Sequence, residues 1–215
     1  MRVKRASLVT LAAVLALACD ADLTTTTTDA VSDGRDAAEV AEALLEAMNT
    51  GDYSAAAALT FPDQMAWVVM AEGGSLTQAA DLLDAGLEQV AANYWQGFAE
   101  TTQLAEVAVR GVEENEIRGT RFAYVALNGR LRLILRNSDG WRVDVIASFA
   151  PTLVNRLIEA AQVVDANRGD QATTMREMLA AQRPSVEAAS GQPGLPDDTR
   201  TDLLTLLEML DDLSE

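Results

Sequence analysis

Apolar residues recur at helical spacing along the first part of the folded chain. Val40, Leu44 and Met48 lie four residues apart, and Asp36 with Glu39 has the spacing of a capping box. An apolar stripe of this kind is typical of a helix that buries one face. The pattern therefore predicts that the fold begins with an amphipathic helix starting near residue 36.

Glycine, aspartate and proline then divide the following residues into further helices. Gly51 is predicted to stop the first helix, and Asp52 to cap a short second one. Pro62 suits the first turn of a third helix. From Ser75 to Phe98 the apolar positions keep to one helical face, which predicts a single longer helix.

Near residue 101 the apolar pattern changes to strict alternation, which indicates β-strands. Asn128-Gly129 and Ser138-Asp139-Gly140 are turn sequences, so the pattern predicts three antiparallel strands in succession. One face of this sheet is apolar and the other carries arginines. The candidate interaction face consists of Arg130, Arg132, Arg136 and Arg142.

Past Pro151 the helical period returns. Residues 184–198 are rich in proline and glycine and are predicted to form a loop. The last amphipathic helix is marked by Leu203, Leu206, Leu207 and Leu210. The predicted fold class is α+β, with N-terminal helices packed on a curved antiparallel sheet and a helical C-terminal extension.

The first 18 residues have the organisation of a secretory signal peptide. A cationic start precedes an apolar run from Ser7 to Ala18, which ends in small residues. A membrane-spanning helix needs about 20 apolar residues, so this run is too short for a permanent span. We therefore expect residues 1–18 to be removed during export.

The residue after the signal peptide predicts a lipid anchor. Ala16-Leu17-Ala18-Cys19 resembles the lipobox of bacterial lipoproteins, which implies acylation of Cys19 and attachment to a membrane. Residues 19–34 are polar and lack periodicity, as expected of a disordered tether behind the lipidated cysteine. The alternative is an ordinary signal peptide that releases a soluble secreted or periplasmic protein.

The composition of the chain excludes several classes of chemistry. Its 215 residues include no histidine, and Lys4 is the only lysine. A Ser-His-Asp triad, a histidine metal site, a Schiff-base lysine and a P-loop lysine are therefore excluded beyond the signal peptide. After residue 18, 13 arginines against 33 acids leave a charge of −20, which argues against duplex nucleic acid as a partner. We predict no cofactor and no metal site.

Positive and negative charge are segregated along the chain. Seven of these 13 arginines lie within residues 101–149, whereas the last 20 residues carry seven acids and only Arg200. Arginine pairs with carboxylates through two parallel hydrogen bonds, so the cationic sheet face and the acidic terminal helix are complementary. One hypothesis is that they dock on each other, within one chain or across a homodimer. The alternative is a sheet face that is merely solvated.

Two segments resemble the nuclear-transport-factor-2-like fold of small exported bacterial lipoproteins. They are Asn49-Thr50-Gly51-Asp52-Tyr53 between two helices and Asn137-Ser138-Asp139-Gly140-Trp141-Arg142-Val143 at the end of the sheet. The resemblance covers residues 35–149 and implies a cone with an apolar interior, with residues 150–215 as an extension outside it. The candidates to line the cone are Trp67, Tyr94, Phe98, Tyr124 and Trp141. The alternative is that these aromatic residues only pack the core.

The resemblance leaves three functions open. The leading prediction is a non-enzymatic binding or interaction module at the cell envelope, and the first alternative is a carrier of a small apolar ligand inside the cone. Some members of the fold abstract a proton with a buried aspartate assisted by tyrosine, which gives an isomerase-like enzyme as the second alternative. Residues of the types needed for that chemistry are Asp63, Asp81, Asp84, Tyr53 and Tyr94. We place none of these acids inside the cone, so we predict no catalytic residue.

Overall fold

The computed structural model describes residues 34–102, 104, 107–128 and 132–214. Within these ranges the chain forms nine α-helices and a four-stranded antiparallel sheet, with helices predominating, which confirms the α+β class. The helices are α1 (Ala37–Thr50), α2 (Tyr53–Ala58), α3 (Gln64–Ala71), α4 (Leu76–Ala85), α5 (Glu88–Thr101), α6 (Val145–Ala166), α7 (Asp170–Ala181), α8 (Arg183–Ser190) and α9 (Asp197–Leu213). The strands are β1 (Val109–Ile117), β2 (Thr120–Leu127), β3 (Arg132–Asn137) and β4 (Trp141–Val143).

Several sequence predictions concern residues outside the described ranges. They are the signal peptide, the lipidated Cys19, the tether up to residue 33, Gly129 of the first turn and Arg130 of the candidate interaction face.

The first two helices begin and end as the sequence predicts. The Glu39 backbone N–H donates to the Asp36 carboxylate (2.9 Å), and the Asp36 N–H donates to the Glu39 carboxylate (2.8 Å), which completes the capping box. Gly51 ends α1 at a φ of 77°, in the left-handed region that glycine adopts without strain. Asp52 caps α2 by accepting a hydrogen bond from the Ala55 N–H (2.9 Å).

The prediction of one continuous helix from Ser75 to Phe98 is wrong. Gly86 separates α4 from α5 with a φ of 95° and a ψ of 144°, far from helical values. This conformation is open to glycine because it has no Cβ. Leu87 is buried directly after the break, so the apolar stripe continues although the helix does not.

The succession of three antiparallel strands is confirmed as β2, β3 and β4, and the structure adds the long strand β1 at one edge. Strand β4 is short because Asp144 caps α6, accepting a hydrogen bond from the Ala147 N–H (2.8 Å). The helical period therefore returns at Val145 rather than after Pro151.

Pro151 lies inside α6, where a proline removes one backbone donor. The carbonyl group that its N–H would have reached is that of Ala147, four residues earlier. The Gln192 side chain supplies the missing donor, with its Nε2 atom 2.9 Å from the Ala147 oxygen. This contact lets α6 run across residue 150 and joins it to the loop that follows α8.

The prediction of a loop over residues 184–198 is wrong for its first half, because α8 occupies it. Pro184 lies in the first turn of α8, where its missing N–H costs no helical hydrogen bond. Ala188 of α8 packs with Phe122, Ile134 and Ala147 in a small apolar cluster. Helix α8 therefore covers part of the sheet face on which the sequence placed arginines.

The main core lies on the other face of the sheet and between the helices. Its largest side chains are fully buried, and the two tryptophans among them have partners for their indole N–H groups. Trp67 donates to the Leu157 carbonyl oxygen (3.3 Å), and Trp95 donates to the Thr60 hydroxyl (2.9 Å). The apolar stripe of α9 is buried as predicted, against α6, α7 and α8.

Candidate functional site

The five aromatic residues that the sequence assigned to a cone interior lie in three different places. Trp67 and Trp141 are buried in the main core. Tyr94 and Phe98 lie together at a cleft of about 210 Å³ between α5 and the start of α6. Tyr124 lies on the opposite face of the sheet, beneath the loop that follows α8.

The cleft at Tyr94 is walled by aromatic rings. The ring centroids of Phe98 and Phe149 are 5.4 Å apart, and those of Tyr94 and Phe149 are 6.2 Å apart. Burial raises the pKa of the Tyr94 phenol, and the nearby Glu72 carboxylate raises it further. The phenol is therefore held in its neutral form, and it joins Glu72, Thr101 and Thr152 as a polar residue of the lining.

A larger cleft of about 600 Å³ lies on the face of the sheet that α8 partly covers, and we call it the sheet cleft. Strand β1 supplies Gly111, Val112, Glu113, Asn115 and Ile117 to its lining. Strands β2 and β3 and the loop after α8 supply Tyr124, Ala126, Arg132, Gly191 and Pro193. The sheet cleft thus combines apolar surface with both signs of charge.

Tyr124 fixes the wall of the sheet cleft. Its hydroxyl donates to the Ala188 carbonyl oxygen (3.1 Å), which ties β2 to α8. Burial raises the pKa of the Tyr124 phenol, and the Glu113 carboxylate raises it as well. A Cβ at Gly191 would lie 3.4 Å from this hydroxyl, so a larger residue there would crowd the contact.

The described arginines of the candidate interaction face have different environments. Arg132 lines the sheet cleft, and none of the salt bridges within the described residues involves it. Arg142 lies 5.8 Å from the ring centroid of Phe61. Arg136 is largely buried, with its guanidinium carbon 4.0 Å from the same centroid. Among the described arginines of this face, Arg132 is therefore the one that lines the cleft, and Arg136 belongs to the interior.

Arg136 belongs to a buried polar network centred on Asp144. Its Nε atom is 3.5 Å from one Asp144 carboxylate oxygen, and the Ser185 hydroxyl donates to that same oxygen (2.6 Å). The Gln64 amide nitrogen donates to the other oxygen (2.8 Å) and to the Gln182 side-chain oxygen (2.8 Å). The network joins α3, the end of the sheet and α8 in one buried contact.

Sequence reasoning missed this network. Asp144 had a local signal, because an aspartate before a helical pattern is a typical N-cap. Gln64 also stands out as a polar residue at the start of the apolar stretch that forms α3. Neither signal identifies the partner, which the fold brings from a distant part of the chain.

The acids considered for proton abstraction are dispersed. Asp63 accepts a hydrogen bond from the Gln182 side chain (3.2 Å), at the margin of the buried network. Asp81 and Asp84 are exposed on α4, and Asp81 accepts from Gln171 (3.2 Å). Among the described residues, no three histidine, cysteine or acidic side chains are grouped to hold a metal ion.

A salt bridge holds the terminal helix α9 in place, but its arginine belongs to α8 and not to the sheet face from which the sequence predicted it. The Arg183 guanidinium donates to the Asp211 carboxylate of α9 and to Glu187 (2.7 Å). Glu187 also pairs with Arg118 (2.8 Å), in the turn between β1 and β2. The acidic terminal helix therefore docks on helices of the same chain, and α8 is the element between it and the sheet.

This ion pair predicts a loss of stability at acid pH. Hydrogen bonding to Arg183 holds the pKa of the Asp211 carboxyl below its ordinary value of 3.8. The resulting stabilisation is present above that unfolded-state value and is lost as the pH falls through the lower, folded-state value. We expect Asp211→Asn to be less stable than the unsubstituted protein at about pH 7 and equally stable at about pH 2, measured by urea unfolding. An equal difference at both pH values would contradict this origin.

Comparison of the chain with protein-family models, with curated proteins and with solved structures finds no match. The class of protein is therefore defined by its own elements: an α+β fold in which a C-terminal helical layer partly covers one face of a small sheet. Within the described part of the chain, no helix has both the length and the apolar character needed to cross a membrane.

Proposed function

We propose that this chain is an exported protein, anchored to the cell envelope through a lipid on Cys19, that acts as a non-enzymatic binding module. The signal-like residues 1–18 and the lipobox-like end of that segment support the export and the anchor. The observation that carries the binding role is the sheet cleft, a concave surface of about 600 Å³ on the outer side of the sheet.

The residues that line the sheet cleft are of the types that bind and orient a ligand. Ile117 and Ala126 provide apolar surface, while Glu113 and Arg132 provide opposite charges at different points of it. Binding sites commonly combine apolar surface with a few polar groups that fix the orientation of the ligand. Arg136 forms a salt bridge, a side-chain hydrogen bond and a contact with an aromatic ring. Arg132 forms none of these with the described residues, so its charge is available to hold a ligand.

The finer fold assignment is also a proposal. We assign residues 35–149 to the nuclear-transport-factor-2-like fold, with the N-terminal helices packed on the concave side of the sheet. The assignment is supported by the contacts of α1 with all four strands and by the burial of Val125 and Leu135 on that side. In this arrangement the sheet cleft lies outside the cone.

A carrier of a small apolar ligand is the second candidate function. The observation that favours it is the cleft of about 210 Å³ at which Tyr94, Phe98 and Phe149 come together. Aromatic rings offer a large apolar contact area, and the Tyr94 hydroxyl offers one polar group for orientation.

Photo-crosslinking in cells tests the binding role. A benzoylphenylalanine in place of exposed Ala126 would place the reactive group in the sheet cleft. The matched control replaces Val163, which is 44% exposed on α6, away from the cleft. We expect a defined crosslinked species from position 126 and none from position 163, because only the first position faces the ligand.

The same cells test the anchor and separate the alternatives. Substitution Cys19→Ala should move the protein out of the membrane fraction and abolish incorporation of labelled palmitate, because the acylated thiol is lost. Equal crosslinking from positions 126 and 163 would contradict a binding site in the sheet cleft. A small-molecule adduct recovered instead from a benzoylphenylalanine in place of exposed Thr101, which lines the Tyr94 cleft, would favour the carrier.

A further inference from the structure

The sheet has one guarded edge and one open edge. Strand β4 is guarded, since the Val143 N–H donates to the Leu59 carbonyl oxygen (2.7 Å) and the Val143 carbonyl accepts from the Phe61 N–H (3.4 Å). Strand β1 forms the other edge and pairs only with β2. Among the described residues, no backbone hydrogen bond joins β1 to any other element.

The open edge is long enough to accept another strand. Strand β1 has nine residues, and all but its two ends are exposed. In an antiparallel pair every second residue directs its N–H and C=O groups away from the partner. These outward groups of β1 form a ready template for an added strand.

The sheet cleft lies along this same edge. Half of its lining comes from β1, including Glu113, Asn115 and Ile117 at alternate positions. Alternate side chains of a strand point to one face of the sheet. An added strand would therefore place alternate side chains of its own at the mouth of the cleft, which is how strand addition obtains specificity.

The charge of the edge identifies the kind of partner. Strand β1 carries one exposed cation, Arg110, and three glutamates, of which Glu114 is paired with Arg121 (2.5 Å). Glu113 and Glu116 take part in none of the salt bridges within the described residues. Their unpaired carboxylates favour a cationic strand, because opposite charges on neighbouring strands attract.

A second copy of this chain is a poor occupant of the same edge. An antiparallel pair of β1 strands centred on Glu113 would place that glutamate directly opposite its own copy. Like charges in that position destabilise the pairing. The high negative charge of the whole chain adds to the repulsion between copies.

From these observations we infer that β1 binds an extended, positively charged segment of another protein as a fifth strand of the sheet. The inference rests on the proposed binding function and names the partner of the sheet cleft. Backbone hydrogen bonds along β1 supply the affinity. Glu113 on the cleft face and Glu116 on the opposite face of the sheet each select a lysine or arginine side chain of the added strand.

The test uses the full-length protein in detergent and a fluorescent nine-residue peptide that repeats Lys-Lys-Val, so that an added strand presents lysines on both faces of the sheet. A second peptide has the same sequence but carries N-methyl groups on the backbone amides of one edge, so that it keeps its charge and loses its strand-pairing donors. We expect the first peptide to bind about tenfold more tightly in fluorescence anisotropy, because strand addition depends on those donors. Backbone amides of β1 should also become protected from hydrogen exchange in its presence.

Matched variants separate the edge from overall charge. We expect the double variant Glu113→Lys with Glu116→Lys to weaken binding about tenfold. The control Glu159→Lys with Glu177→Lys changes two exposed glutamates on α6 and α7, alters the net charge equally and should leave the affinity within about twofold.

Three outcomes would overturn the inference: equal binding of the two peptides, equal weakening by the two double variants, or no binding of either peptide. The glutamates of β1 would then serve only to protect the edge from aggregation. The proposed function would survive such a result if the crosslink from position 126 still formed, and it would fail if that crosslink were also missing.

Discussion

Replacing Asp144 with alanine should lower the free energy of unfolding by about 3–5 kcal/mol, because it leaves the largely buried Arg136 without its counter-charge. The side chain of Asp144 is fully buried and that of Arg136 is 13% exposed, so water cannot compensate for the loss. The substitution also removes the N-cap of α6 and the acceptors of Gln64 and Ser185. Urea unfolding measured near neutral pH checks the prediction.

A second N-cap provides the matched control. Asp52 caps α2 in the same way as Asp144 caps α6, but it is exposed and takes part in none of the described salt bridges. We expect Asp52→Ala to cost about 1 kcal/mol, the usual value for a lost cap. If Asp144→Ala cost no more than Asp52→Ala, the buried network would contribute nothing beyond capping.

The charge itself can be separated from the loss of hydrogen bonds. Adding Arg136→Met to Asp144→Ala removes the uncompensated cation while keeping much of the side-chain volume. We expect the double variant to be more stable than Asp144→Ala alone, since replacing both members of a buried ion pair is far less costly than removing one. If the double variant were less stable than Asp144→Ala alone, the loss of stability would come from the lost packing of the Arg136 side chain against Phe61.

Local signals in the sequence predicted the ends of several helices correctly. The capping box at Asp36 and the stop at Gly51 depend on contacts within a few residues, so neighbouring sequence is sufficient to reveal them. The amphipathic stripe of α9 is equally local, because one helical face decides it. These are the parts of the fold that a single sequence specifies most directly.

Packing contacts between residues distant in the sequence determine the structure at the two places where the prediction was wrong. Leu83 and Leu87 keep helical spacing across the break at Gly86, because both sides of the break bury the same stripe. Helix α8 was hidden by Pro184, which is a helix breaker in the interior but is compatible with the first turn. In both places the local pattern permitted two structures, and contacts from elsewhere in the chain selected one.

The buried network and the sheet cleft could not be derived from local pattern. Gln64 lies 80 residues from Asp144 and 118 residues from Gln182, so spacing along the chain carries no information about their contact. The register of the strands places Arg132, Arg136 and Arg142 on one face of the sheet, as the alternation predicted for these three. The alternation could not reveal that α8 would cover that face at Arg136 and leave Arg132 at the cleft.

The C-terminal extension builds the candidate site as well as covering the sheet. Gly191 and Pro193 form one wall of the sheet cleft, and α8 holds that wall against Tyr124. Helix α8 is in turn packed against α9. We therefore expect the terminal helix to support the wall of the cleft, which makes α9 the second place where a large effect is expected.

Replacing Leu206 with alanine should lower the free energy of unfolding by about 2–5 kcal/mol, the usual cost of truncating a fully buried leucine. Leu206 is 0% exposed on the face of α9 that is packed into the core. Leu204, two residues earlier on the same helix, is 51% exposed and supplies the matched control. We expect Leu204→Ala to change stability by no more than about 0.5 kcal/mol, because little of that side chain leaves water on folding.

Deleting residues 197–215 should have a still larger effect and abolish the stable fold. The deletion removes four buried leucines, each of which contributes about 1.5–3 kcal/mol, together with the Asp211 contact to Arg183. The combined loss, on the order of 6–12 kcal/mol, is comparable with the whole stability of a typical domain, about 5–15 kcal/mol. Circular dichroism during heating should show no cooperative transition for the truncated chain. A cooperative transition near that of the complete protein would mean that α9 is an accessory helix, and that α8 holds the wall of the sheet cleft without it.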